Sequence, residues 1–192
     1  MSWLHKILGI RRTEPLLTRA VANEVVPPSL EERLIEASKS GDIESVKHLL
    51  SLGAQPGQSP SSSLASDYRR ENTAVSHAAS RGHVSILSLL LECEVDIEAL
   101  KPALTFAVVN GNHEAVTLLL KYCPMHIDMA LTSTRDVNMT ILLLKHGAKP
   151  SPSAMFHAIE RLDDQSVSAL LEAGASLKEC VETQDGILRH LD

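Results

Sequence analysis

The sequence predicts an all-α solenoid in which short helix-turn-helix units are stacked in a row. One motif recurs five times: a turn, a short spacer, an aliphatic residue or Thr, a Leu-Leu pair and a second turn. The five pairs are Leu49-Leu50, Leu90-Leu91, Leu119-Leu120, Leu143-Leu144 and Leu170-Leu171. Internal repetition with a period of about 20–50 residues is typical of stacked-repeat proteins.

Each unit has the apolar spacing of two short helices. In the second unit Ile86, Leu87, Leu90 and Leu91 recur at the spacing that places side chains on one helical face. A second helical stretch built on small residues precedes the opening turn, as in residues 75–79. Because isolated helices shorter than about 12–15 residues are marginal in water, the units must gain stability by packing on one another.

The second unit also carries a family resemblance. Residues 73–83 read Thr-Ala-Val-Ser-His-Ala-Ala-Ser-Arg-Gly-His, which resembles the ankyrin repeat motif T-P-L-H-x-A-A-x-x-G-H. Weaker copies keep the register, so the resemblance covers about residues 30–177. It implies an ankyrin-type solenoid of about five degenerate repeats.

The copies depart from the family pattern in their spacing. Successive Leu pairs are 41 residues apart from Leu49 to Leu90 but only 24 apart from Leu119 to Leu143, against a family period of about 33. The long first gap predicts a mobile Ser/Pro-rich insert at residues 55–72, which either contacts a partner or is passive. The short gaps leave little room for the β-turn fingers of an ankyrin groove, and the fourth unit is out of register by about one residue.

Three segments follow from this pattern. We expect an N-terminal amphipathic segment and linker at residues 1–29, the repeat array at residues 30–177, and a terminal cap or partial repeat at residues 178–192. A capping box at Ser29-Leu30-Glu31-Glu32 starts the array. Residues 1–12 combine apolar and cationic side chains, so they either cover the open end of the stack or contact a membrane surface weakly. No apolar run is long enough for stable membrane insertion.

Composition and motifs favour a binding role over catalysis. The net charge of −6 lacks the basic excess expected of a nucleic-acid binder, and three cysteines without a close-spaced pair fit an intracellular, cytoplasmic or nuclear location. The sequence contains no phosphate-binding Gly loop, no H-E-x-x-H and no C-x-x-C, so neither enzyme activity nor a cofactor is expected. The alternatives are a ligand or catalytic site using His113, His126 and His157, and a metal site at His113, Cys123 and His126.

The resemblance implies where a partner would bind. In the ankyrin arrangement, turn tips and the two residues before each opening turn line a concave face, where variable polar residues select a partner protein. The implied partner-binding residues are Arg69, Arg70, Glu71, Arg81, Lys101, Asn110 and Arg161. Arginine is enriched at binding hot spots, and the alternative for each residue is a solvated charge. The sequence therefore predicts a non-catalytic protein-protein interaction module that acts as an adaptor, scaffold or inhibitor.

Overall fold

A computed structural model describes residues 27–60, 72–178 and 180 of the chain, and these residues form a row of helical hairpins. Ten α-helices and no β-strand occur within the described residues. The helices are α1 (Leu30–Ser40), α2 (Ile43–Ser51), α3 (Ala74–Arg81), α4 (Val84–Leu91), α5 (Ile97–Val109), α6 (His113–Leu119), α7 (Ile127–Thr132), α8 (Val137–Lys145), α9 (Pro152–Glu160) and α10 (Asp164–Glu172). Consecutive pairs of helices form units one to five, which confirms the predicted all-α repeat solenoid.

The hairpins are arranged in two layers. The odd-numbered helices pack side by side as an inner row, in which α3 contacts both α1 and α5, and α7 contacts both α5 and α9. The even-numbered helices form an outer row, with α4 on α2, α6 on α4 and α10 on α8. Within every unit the two helices also pack against each other. This layering aligns the C-terminal ends of the inner helices along one side of the stack.

The Leu pairs form the core between the two rows. The first leucine of each pair is buried in all five units: Leu49, Leu90, Leu119, Leu143 and Leu170. Small residues on the inner helices, including Ala78, Ala107 and Ala158, are buried as well and allow the rows to approach closely. The second leucine is less uniform, since Leu91 is buried but Leu171 is exposed. The apolar pattern therefore predicts the buried position of the first leucine in every unit, but that of the second leucine only in some units.

Side-chain caps fix where several helices begin. The Ser29 hydroxyl accepts a hydrogen bond from the Glu32 N–H at 3.2 Å, and the Glu32 carboxylate accepts one from the Ser29 N–H at 2.9 Å. This confirms the predicted capping box. Asp42, Asp136 and Asp163 cap α2, α8 and α10 in the same way, by accepting from N–H groups that the helix leaves unpaired.

Side chains from the opening turns connect neighbouring units. His83 Nε2 in unit two lies 3.3 Å from the Lys39 carbonyl oxygen in unit one. Asn112 in unit three donates through Nδ2 to the carbonyl oxygens of Ala79 and Ser80 in unit two, at 2.8 and 2.9 Å. Because these bonds join a side chain of one unit to the backbone of the preceding unit, they fix the register of the stack.

The fourth unit closes its turn differently, which explains its irregular sequence. Thr134 is buried, its hydroxyl donates to the Leu131 carbonyl oxygen at 3.0 Å, and it lies 3.1 Å from the Thr140 hydroxyl. Thr140 occupies the slot that is aliphatic in the other four units, and it is buried too. The Thr140 hydroxyl in turn donates to the Asp136 carbonyl oxygen at 3.1 Å, so a backbone carbonyl satisfies each of the two buried hydroxyls. The predicted register shift is therefore accommodated by a pair of threonines.

The predicted insert is only partly described. Residues 55–60 lie against the stack: Pro56 and Pro60 are buried, and the Pro56 carbonyl oxygen accepts a hydrogen bond from the Val75 N–H at 3.4 Å. Residues 61–71 lie outside the described residues, as do residues 1–26 and 181–192. The predictions made for those segments stay predictions.

Candidate protein-binding face

Three of the sequence-predicted residues occupy the same repeat position. Arg81 is the last residue of α3, Asn110 directly follows α5, and Arg161 directly follows α9. Each immediately precedes the residue that opens the turn to the outer helix, and each is exposed. The inner row therefore presents these three side chains at the aligned ends of its helices. Together with Lys39, they are referred to below as the inner-helix face.

The other predicted residues are not part of this face. Lys101 is exposed, but it lies nine residues before Asn110 in the chain, which is about 13 Å along the axis of α5. It therefore lies in the N-terminal half of α5, away from the C-terminal end that carries Asn110. Arg69, Arg70 and Glu71 lie outside the described residues.

Hydrogen bonds hold the polar groups of units two and three in place. Asn110 donates through Nδ2 to the Ser80 hydroxyl at 3.2 Å and to the Phe106 carbonyl oxygen at 2.7 Å. Ser80 precedes Arg81 in the chain, so the Asn110 amide sits beside the arginine of the neighbouring unit. Ordered polar groups of this kind reduce the entropy lost when a partner binds.

Two cations, Lys39 and Arg81, lie near His77 where units one and two meet, and the Glu36 carboxylate lies 3.9 Å from Lys39 Nζ. Burial lowers the pKa of His77, the charges of Lys39 and Arg81 lower it further, and Glu36 opposes them. His77 is therefore neutral at pH 7, and its Nε2 lies 2.9 Å from the Asn72 amide oxygen. Lys39 is one of these two cations, and the sequence-predicted site omits it. The signal that could have found it is its place just before the first opening turn, which corresponds to Ser80 in unit two.

The face is interrupted in unit four and altered in unit five. Thr134, the residue just before the fourth opening turn, is buried and unavailable to a partner. In unit five Glu160 accompanies Arg161, and its carboxylate lies 3.3 Å from His157 Nδ1. The cationic character of the face therefore belongs mainly to the first two units.

The three histidines of the alternative site have different surroundings. His113 Nε2, in the outer row, lies 3.2 Å from an Asp136 carboxylate oxygen, outside hydrogen-bonding geometry. His157 is paired with Glu160 in the inner row, and the buried Nε2 of His126 has no hydrogen-bond partner among the described residues. Within residues 27–60, 72–178 and 180, no three His, Cys, Asp or Glu side chains are placed to hold a metal ion.

An open groove lies between α8 and α10 on the outer row. Its volume is about 700 Å³, and Val137, Ile141 and Leu144 line it beside Lys145 and Glu172. None of the three histidines contributes to its lining. The groove is therefore separate from the three histidines of the alternative site.

Cys123 is a structural thiol, and we expect it to be chemically inert. The side chain is buried and hydrogen-bonded to the Leu119 carbonyl oxygen at 3.2 Å, and burial raises the pKa of the thiol from 9.0 to about 11. Because the thiolate is the reactive form, a disulfide reagent at pH 8 should leave Cys123 unmodified in the folded chain and modify it in denaturant. Site-resolved mass spectrometry measures this, and rapid modification in the folded chain would contradict the buried placement.

The same pKa shift predicts how stability depends on alkaline pH. The unfolded thiol loses its proton near pH 9.0, whereas the folded thiol keeps it until about pH 11. The contribution of Cys123 to stability is therefore complete below pH 9 and falls as the pH rises from 9 to 11. Cys123→Ala should flatten that part of the curve of unfolding free energy against pH.

Comparison with known families agrees with this architecture. A family model described as "Ankyrin repeats (3 copies)" matches residues 34–133, slightly more than half of the 192 residues. The chain belongs to the ankyrin repeat family, whose members are in general protein-interaction modules. The match includes most of unit one, all of units two and three, and α7 of unit four. A search of curated proteins gave no match.

A helix that spans a bilayer needs about 20 consecutive, mostly apolar residues. None of the helices within the described residues is both long and apolar enough to span a bilayer.

Proposed function

We propose that the chain is a non-catalytic interaction module that binds a partner protein through its inner-helix face. In this role it acts as an adaptor, scaffold or inhibitor in the cytoplasm or nucleus and requires no cofactor. The observation that supports the proposal best is the exposure of Arg81, Asn110 and Arg161 at one repeat position in three different units. Because stacked repeats place equivalent residues in a row, a solenoid can present such residues to one extended partner.

The charge of the face indicates the chemistry of the partner. Lys39 and Arg81 act together on His77, although the chain as a whole carries a net charge of −6. Carboxylates of a partner segment would pair with these cations, and the arginine guanidinium can bind a carboxylate with two parallel hydrogen bonds. We therefore infer that the partner contributes an acidic segment to units one and two.

Charge reversal on the inner-helix face should abolish capture of the partner. The tagged chain is used to purify proteins from its native cells, in parallel with an Arg81→Glu/Arg161→Glu variant. Because a hot-spot residue contributes about 2 kcal/mol or more, loss of one should weaken binding about 30-fold, and the double variant should bind on the order of 10³-fold more weakly. The specific protein recovered with the natural chain should then be lost.

A matched variant separates recognition from stability. Lys121→Glu/Lys145→Glu reverses two exposed cations at the C-terminal ends of outer helices and should leave both recovery and melting temperature unchanged. The face variant should also keep its melting temperature, since exposed charges contribute little to stability. Retained capture by the face variant, or equal loss in both variants, would rule out this face.

A further inference from the structure

Two departures from the repeat pattern meet in the open groove between α8 and α10. The residue two places before the first leucine of each pair is polar in every unit except unit four. The five residues at this position are Lys47, Ser88, Thr117, Ile141 and Ser168. The residue one place before the same leucine is Leu in units two to four but Ala169 in unit five. Apolar surface gained on α8 and side-chain volume lost on α10 therefore belong to the same groove.

The α8 wall of this groove is a stripe of apolar side chains. Val137, Ile141 and Leu144 follow one another at intervals of four and three residues, which places them on one face of the helix. All three are only partly buried. The α10 wall opposite them includes the small residues Ala169 and Ala173. The groove therefore has room for apolar side chains from outside the chain.

The rim of the groove carries more negative than positive charge. Asp164 and Glu172 lie on the α10 side and Lys145 on the α8 side, and all three are exposed. Within the part of the chain that the structure describes, none of these three residues takes part in an ion pair. Charges that no neighbour neutralises are available to a partner, and two carboxylates against one ammonium favour a cationic partner.

The walls of the groove favour a helical occupant. Both walls are α-helices, whose backbone groups are already paired, so an extended segment would find no sheet edge to join. A helix pairs its own backbone, and its rows of side chains spaced three and four residues apart fit between two neighbouring helices. The α8 wall from Val137 to Lys145 is about 12 Å long, which corresponds to about two helical turns.

We propose that the α8–α10 groove binds an amphipathic helix of a partner protein. The apolar stripe of that helix packs on Val137, Ile141 and Leu144, and its flanking Lys or Arg residues pair with Asp164 and Glu172. A second copy of this chain is disfavoured as the occupant, because its net charge of −6 would be repelled by the acidic rim. The groove lies on the outer row, so the proposal does not depend on the partner of the inner-helix face.

Helical probes test the proposal through the charge of the occupant. Three synthetic peptides of about 14 residues are stapled, because isolated helices of this length are marginal in water. They share one stripe of leucines and carry Lys, Gln or Glu at the flanking positions. Fluorescence anisotropy with the full chain should show the tightest binding for the Lys peptide and the weakest for the Glu peptide. Equal binding of the three peptides would overturn the proposal.

Two substitutions test the groove with residue types that other units carry at the same positions. Ile141→Ser removes apolar surface from the α8 wall, and Ala169→Leu fills the space on the α10 side. Each should weaken binding of the Lys peptide by about tenfold or more. Melting curves establish that both variants stay folded. Unchanged binding by both folded variants would overturn the proposal.

Removal of the rim carboxylates has a matched control. Asp164→Asn/Glu172→Gln should weaken binding of the Lys peptide. Glu92→Gln/Glu114→Gln removes two exposed carboxylates beside α4 and in α6, outside the groove, and should leave binding unchanged. Equal weakening in both variants would show attraction to net charge alone and overturn the site. A dimer in sedimentation that Ala169→Leu dissociates would assign the groove to a second copy and also overturn the proposal.

Discussion

Replacing Leu90 with alanine is expected to lower the free energy of unfolding by about 2–5 kcal/mol. Leu90 is fully buried between the inner and outer rows in unit two. Truncation removes apolar area from the core and leaves a cavity that neighbouring helices can fill only in part. Urea denaturation followed by far-UV circular dichroism measures the change, which should appear in the midpoint rather than in the slope.

The control for Leu90 is a leucine outside the core. Leu52 lies directly after α2 and is 50% exposed, so Leu52→Ala should change the free energy of unfolding by about 0.5 kcal/mol or less. Similar small effects at both positions would show that the Leu pairs do not form the interface between the rows. That result would remove the physical basis of the repeat assignment.

Replacing Gly82 with alanine is expected to destabilise the stack by about 2–5 kcal/mol. Gly82 has a φ of 70°, and an added β-carbon would lie 2.9 Å from the Asn112 amide oxygen. The left-handed backbone costs about 1–2 kcal/mol for a residue with a β-carbon. Displacement of Asn112 would also break its hydrogen bonds to Ala79 and Ser80, each of which contributes about 0.5–1.5 kcal/mol.

Gly111 provides the matched comparison. It has the same φ of 70°, but a β-carbon there would have no neighbour within 4 Å among the described residues. Gly111→Ala should therefore cost only the backbone term of about 1–2 kcal/mol. Thermal and urea unfolding of both variants give the difference. If the two substitutions cost the same, the Asn112 bridge would contribute nothing to the coupling of units two and three.

The regular features of the fold could be predicted from the sequence because they depend on local spacing. One such feature is the buried leucine at the same position of all five units, and another is the hydroxyl of Ser29 three residues before a carboxylate. Both can be read directly from the sequence. The burial of the second leucine is not, since it depends on whether a neighbouring unit covers it. Leu91 lies in α4, which contacts α6 of unit three, whereas Leu171 lies in the last hairpin among the described residues.

Unit four is a second case in which burial depends on contacts that the sequence does not show. Thr140 in an aliphatic slot marks the fourth unit as unusual, but the sequence does not reveal that Thr134 turns inward to pair with it. Sequence position alone would have placed Thr134 on the binding face. Thr134 and Thr140 come together only in the folded chain. Their spacing also differs from that of the residues in every other turn.

The sequence predicted residues of the inner-helix face only where they occupy the same position in several repeats. Arg81, Asn110 and Arg161 share a repeat position, so one alignment of the units finds all three. Lys101 was predicted as a turn-tip residue, and α5 places it about 13 Å from Asn110 along the helix axis. The electrostatic influence of Lys39 on His77 arises from the packing of α1 against α3 and has no counterpart in the linear sequence.

Hydrogen–deuterium exchange tests the inner-helix face most directly. The chain is compared alone and in complex with the protein recovered by affinity purification. Binding should slow exchange at the ends of the inner helices, in residues 77–82, 106–112 and 157–162, and leave α4 and α10 unchanged. Slowed exchange confined to the outer helices would contradict the central claim that the partner binds the inner row.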